Sequence, residues 1–146
     1  MQIPEKQVLL DSSIERAAAL LGDLTPHVFA RYYPAFPEAH ERFEELSLHS
    51  RNSLEGQIIE QSLYCLMQWF ESPGQIRIVI VGTVSHHIET LQISPSCFSG
   101  LMDTICDVIV STIPADCPGE RAVWQELREA MQGLFAEGCK YVFHPA

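Results

Sequence analysis

The apolar residues of this chain recur mostly at steps of three and four, the period of a helix with one buried face. Asp11-Ser12-Ser13 followed by Ile14 to Leu21, with Gly22 behind, predicts a short capped helix. Thr25-Pro26 predicts a second helix from about Pro26 to Tyr33 with Pro34 as its stop, and Phe36-Pro37-Glu38 opens a short turn reaching Phe43. From Asn52 to Phe70, Leu54, Ile58, Cys65 and Trp69 keep helical spacing while Ile59, Leu63, Leu66 and Phe70 widen the stripe, until Ser72-Pro73-Gly74 ends it. Pro95 begins a helix carrying Phe98, Leu101, Met102, Ile105, Val108 and Ile109. Pro114 to Gly119 is a turn, and the last helix buries Val123, Trp124, Leu127, Met131, Leu134 and Phe135, with Gly138 expected to terminate it.

Gln75 to Leu91 is the ambiguous stretch. Ile76-Arg77-Ile78-Val79-Ile80-Val81 is β-branched and read alone suggests a strand. A lone strand among helices has no pairing partner, and its open edges are a liability. Read as a helix, Ile76, Ile80, Val84, His87 and Leu91 fall on one face. The expectation is an all-α domain of about seven helices, one domain over 1–146 with its core at about 12–139.

Composition narrows the partners. With 146 residues, 47% hydrophobic and 19% charged, the chain is a folded domain rather than a disordered tail. A formal net charge of -10 repels phosphate backbones and anionic surfaces, so nucleic acid is not expected. No apolar run approaches the ~20 residues that span a bilayer, and no membrane insertion is expected. Cys65, Cys97, Cys106, Cys117 and Cys139 are odd in number and lack a CxxC pair, which reads as reduced thiols in a cytoplasmic protein. The first residues, Met1 to Lys6, lack the basic flank and apolar core of a signal peptide.

Among the histidines, His27, His40, His49 and His144 sit near predicted helix ends or charged neighbours and read as structural or solvated. His87 shares the apolar stripe counted above, whereas His86 is turned ~100° away from it. An imidazole on an apolar face needs partners for its nitrogens. It is either a core histidine bonded to a carbonyl or a ligand to a metal or cofactor.

The residues that follow are suggestive. After His87 come Leu91 four residues on, Ile93 six on, Pro95 eight on and Phe98 eleven on. This resembles the stretch of globins that joins the proximal histidine to the next helix. Pro37 with Phe43 six residues on, and Phe29 eight before Pro37, similarly resemble the globin corner whose phenylalanine packs flat on haem. Trp124 resembles a common feature of bacterial globins. The likeness runs in order from about Ser12 to Phe135.

What the resemblance implies is a haem b protein with His87 as the iron ligand. Phe29, Phe43, Ile58, Leu91, Ile93, Phe98 and Leu101 would line the haem slot. Leu54 would lie opposite the iron with Ile58 one turn further, and Gln57 and Gln61 are the nearest polar side chains. The chain departs from many globins in having no histidine on that distal helix and Thr83 where leucine is usual. Tyr32 or Tyr33 could supply a distal hydroxyl, and Arg42, Arg51 and Arg77 are the candidates to meet propionates. The implied ligand is a small diatomic gas (O2, CO or NO), bound for transport, storage or sensing. A haem-free globin-fold sensor or interaction module is the alternative, with a homodimer or another protein as partner. No phosphate loop or Ser-His-Asp context points to an enzyme, and NO dioxygenation or peroxidase-like turnover would need an outside electron donor.

Overall fold

The N-terminal helix begins well before the expected cap. In the computed structural model, which describes residues 1–47, 51–86 and 94–142, α1 runs Ile3–Leu21 with a proline in its first turn, where the missing N–H is not needed. Asp11-Ser12-Ser13 is therefore helix interior rather than a cap. Ser13 is tolerated there because its Oγ lies 2.7 Å from the Leu9 carbonyl and 2.6 Å from Glu120 Oε1. Gly22 does end the helix, at φ 70°, with its N–H bonded to the Ala18 carbonyl.

The second helix, α2 (Leu24–Ala35), is capped by Asp23, whose carboxylate accepts the Thr25 N–H at 3.0 Å. Thr25 is thus not the cap, and Pro34 does not stop the helix. Pro34 sits in the last turn, and the Phe36 N–H just past the helix still reaches the Tyr32 carbonyl at 2.9 Å. The remaining helices are α3 (Pro37–Ser47), α4 (Arg51–Gln68), α5 (Pro73–His86), α6 (Pro95–Val110) and α7 (Pro118–Val142). The β-branched segment is helical through His86, with Ile76, Ile80 and Val84 buried on one face. Among the described residues there are seven helices and no strand, and the architecture is all-α, consistent with a globin-like fold. None of those helices is long and apolar enough to cross a membrane.

The hub is α7, which packs on α5, α6 and α1. Its Trp124, Leu127 and Met131 meet in the core with Leu10 and Ala17 of α1 and with Ile105 and Ile109 of α6. Ion pairs tie the same helices at their margins: Lys6 to Glu126 at 2.8 Å, Arg128 to Asp103 at 3.0 Å, and Arg77 to Glu137. Such exposed pairs are each worth ~0–1 kcal/mol, so they set register more than stability. The pair Arg16–Glu120 differs, because Glu120 is 4% exposed and takes two hydrogen bonds from the guanidinium at 2.8 Å. Those bonds, with the Ser13 hydroxyl, hold the Glu120 carboxyl down at about 2 against burial.

Gly138 does not terminate α7, which continues to Val142. A Cβ at 138 would stand 2.9 Å from Val84 Cβ, so this glycine lets α5 and α7 approach closely here. Sequence spacing alone cannot separate a glycine that ends a helix from one that admits a neighbour.

Candidate functional site

Two faces of α4 are occupied differently. Glu55, Ile59 and Leu66 pack into the core. On the adjoining face Leu54, Gln57, Ile58, Gln61, Ser62 and Cys65 border a cavity of about 220 Å³. Across it stand Val79, Ile80 and Thr83 of α5, while α6 contributes Phe98, Leu101 and Met102. Phe43 and Leu46 of α3 and Phe135 of α7 complete the lining. Leu46 and Val79, 38% and 40% exposed, lie where the cavity meets solvent.

Five apolar side chains singled out from the sequence meet here, Phe43, Leu54, Ile58, Phe98 and Leu101, and the polar Gln57, Gln61 and Thr83 line the same cavity. Phe29 does not reach the wall. It is packed behind Phe43, ring centroids 6.0 Å apart, and against Tyr33 at 5.0 Å. His87, Leu91 and Ile93 lie outside the described residues, as does His49. His86 is exposed, as the helical count requires.

The polar expectations are redistributed. Tyr32 donates its hydroxyl to the Cys97 carbonyl at 2.7 Å, and burial raises its pKa further above the ordinary phenol value. Tyr33 donates to Glu55 Oε2. Both hydroxyls are engaged away from the cavity, since neither tyrosine lines it. Arg42 pairs with Glu45 and Arg77 with Glu137, so each of these guanidinium groups has a protein carboxylate beside it. Thr83 lines the cavity but turns its Oγ1 back to the Val79 carbonyl at 2.7 Å. Burial pushes the Cys65 thiol up, which keeps it neutral on the wall.

Every described lining residue is uncharged, and most are apolar. Such walls exclude water and suit the face of a flat apolar macrocycle. The volume is below the ~300–1,000 Å³ common for small-molecule sites, so a macrocycle would have to part α4 from α5. Among the described residues no three His, Cys, Asp or Glu side chains gather to hold a bare metal ion. A haem iron asks less, a single axial imidazole.

Of the wall residues, Leu46, Ser62, Cys65, Val79, Ile80, Met102 and Phe135 were not singled out as contacts. Met102 is four residues from Phe98, the helical step that extends the same wall. Phe135 was expected on the buried face of the last helix, but only the packing of α7 brings it to this cavity. No protein-family model, no curated protein and no solved structure matches this chain, so the functional reading rests on the cavity and the residues around it.

Proposed function

We propose that this protein is a globin-like haem protein that binds a small neutral gas molecule. The observation that supports it is the convergence of Phe43, Leu54, Ile58, Phe98 and Leu101 on one apolar cavity between α4 and α5. Phe43 and Phe98 were chosen by their likeness to globin positions, and Leu54, Ile58 and Leu101 lie on the helical stripes of their own segments, but no pattern along the chain joins the three segments to one another.

Haem, when bound, would supply an iron able to bind a small gas molecule. The chain's own part is to hold and shelter it. His87, which lies outside the described residues, is the proposed iron ligand on the strength of the resemblance; in sequence it follows Thr83 by four residues and Ile80 by seven, and both of those line the cavity. Phe43 and Phe98 would pack on the macrocycle, and Leu91 and Ile93 belong to the same proposed contact set. Leu54 and Ile58 keep water out on the α4 side. With no charged side chain on the described wall, an uncharged ligand is favoured over an anion.

The test is an absorption spectrum of the purified protein after hemin addition. A Soret band that disappears in His87→Ala and persists in His86→Ala supports the reading. Normal hemin binding in both variants overturns the ligand assignment. The small cavity volume favours a second reading, a haem-free helical module, and a protein indifferent to hemin would establish it.

A further inference from the structure

The core stripe of α4 contains one residue of the wrong kind. Glu55, Ile59 and Leu66 are its inward positions, 9%, 4% and 0% exposed, and a leucine at 55 would complete it without any desolvation penalty. The carboxyl group is instead met by the Tyr33 hydroxyl from α2. Tyr33 is itself held in place, its ring 5.0 Å from Phe29 and stacked at 4.3 Å on His40, which in turn pairs with Glu44. A directional bond from a fixed donor sets the rotation of α4 about its axis, which apolar packing leaves looser.

That rotation matters because the cavity wall begins at Leu54, the neighbour of Glu55. The far end of α4 is anchored by Leu66 and by Phe70 just beyond it, whereas α5 touches α4 only lightly across the cavity. We infer that the Tyr33–Glu55 hydrogen bond is a latch that positions the α4 wall and governs entry to the cavity. It rests on the cavity being the binding site proposed above, with Tyr33 and Glu55 as positioning residues outside the lining.

Cys65 provides a readout that needs no haem, since its thiol lies on this wall. Cys106, 0% exposed and with its thiol pushed up to about 12 by burial, reports global opening instead. The apoprotein is labelled with N-ethylmaleimide and each cysteine is followed by peptide mass. Tyr33→Phe and Glu55→Leu raise the Cys65 rate about tenfold, as ~1.4 kcal/mol of easier local opening would, while Cys106 stays unchanged. Glu55→Gln keeps an acceptor for the phenol and labels at the wild-type rate. An unchanged Cys65 rate in the first two variants overturns the latch, as does Glu55→Gln behaving like Tyr33→Phe, or Cys65 and Cys106 rising together. In hemin-loaded protein the same two variants release hemin faster to an acceptor protein. If the labelling pattern holds but the wild type takes up no hemin, the latch stands and the haem reading falls. If hemin binds and labelling does not change, the reverse is true.

Discussion

Gly100 gives a sharp test of how α2 meets α6. It lies between the cavity residues Phe98 and Leu101, and the ring of Phe36, at the end of α2, rests directly on it. A Cβ added at 100 would fall 2.8 Å from Phe36 Cε1, with Cε2 and Cζ closer still, where real Cβ contacts are essentially never found. The ring cannot retreat freely, because it packs against Tyr32 with centroids 5.1 Å apart. Overpacking of this kind costs ~1–3 kcal/mol, while alanine in a helix regains ~0.5–1 kcal/mol over glycine. Gly100→Ala should therefore destabilise by about 1–2 kcal/mol, lowering Tm by roughly 3–6 °C in a domain of this length. In a Phe36→Ala background the obstacle is gone and only the backbone term remains, so the same change should stabilise by ~0.5–1 kcal/mol. The assay is urea unfolding of the wild type, both single variants and the double variant, read as a double-mutant cycle. A Gly100→Ala effect equal in both backgrounds, or stabilising in the wild type, would refute the seating of Phe36 on this glycine.

Two further outcomes follow from the packing of α7. Glu120 titrates at about 2 in the folded chain against 4.5 for a free side chain, so its contribution is complete above pH 4.5 and is lost as pH falls towards 2. That contribution is about 3 kcal/mol from the shift, and Glu120→Gln should flatten the acid limb of stability against pH. Parallel curves for the two proteins from pH 2.5 to 7 would count against the Arg16–Glu120–Ser13 cluster. Gly138→Ala, with its Cβ 2.9 Å from that of Val84, should push α5 from α7 and lower stability by ~1–2 kcal/mol in urea unfolding. A more stable Gly138→Ala protein would show that the two helices are not in close contact there.

The composition and the three-to-four spacing were enough to yield an all-α domain, the helical state of the β-branched segment and most of the core. Hydrophobic periodicity is a local property, repeated along each helix, so one chain displays it in full. The boundaries were less legible where a residue has two uses. Asp11-Ser12-Ser13 has the chemistry of a cap, and only the arrival of Glu120 from the other end of the chain makes Ser13 a buried interior residue. Gly138 has the chemistry of a terminator, and only the closeness of Val84 makes it a notch.

At the candidate site the same division holds. Residue type, spacing and the globin resemblance singled out Phe43, Leu54, Ile58, Phe98 and Leu101, but the packing of three separate helices, α3, α4 and α6, had to bring them to one cavity. Phe29 has equal apolar character and lies one ring behind, a difference of depth that no pattern along the chain encodes. The partner of Glu55 was likewise invisible. A hydrogen bond between positions 33 and 55 depends on the rotation of two helices about their axes, which tertiary packing alone decides.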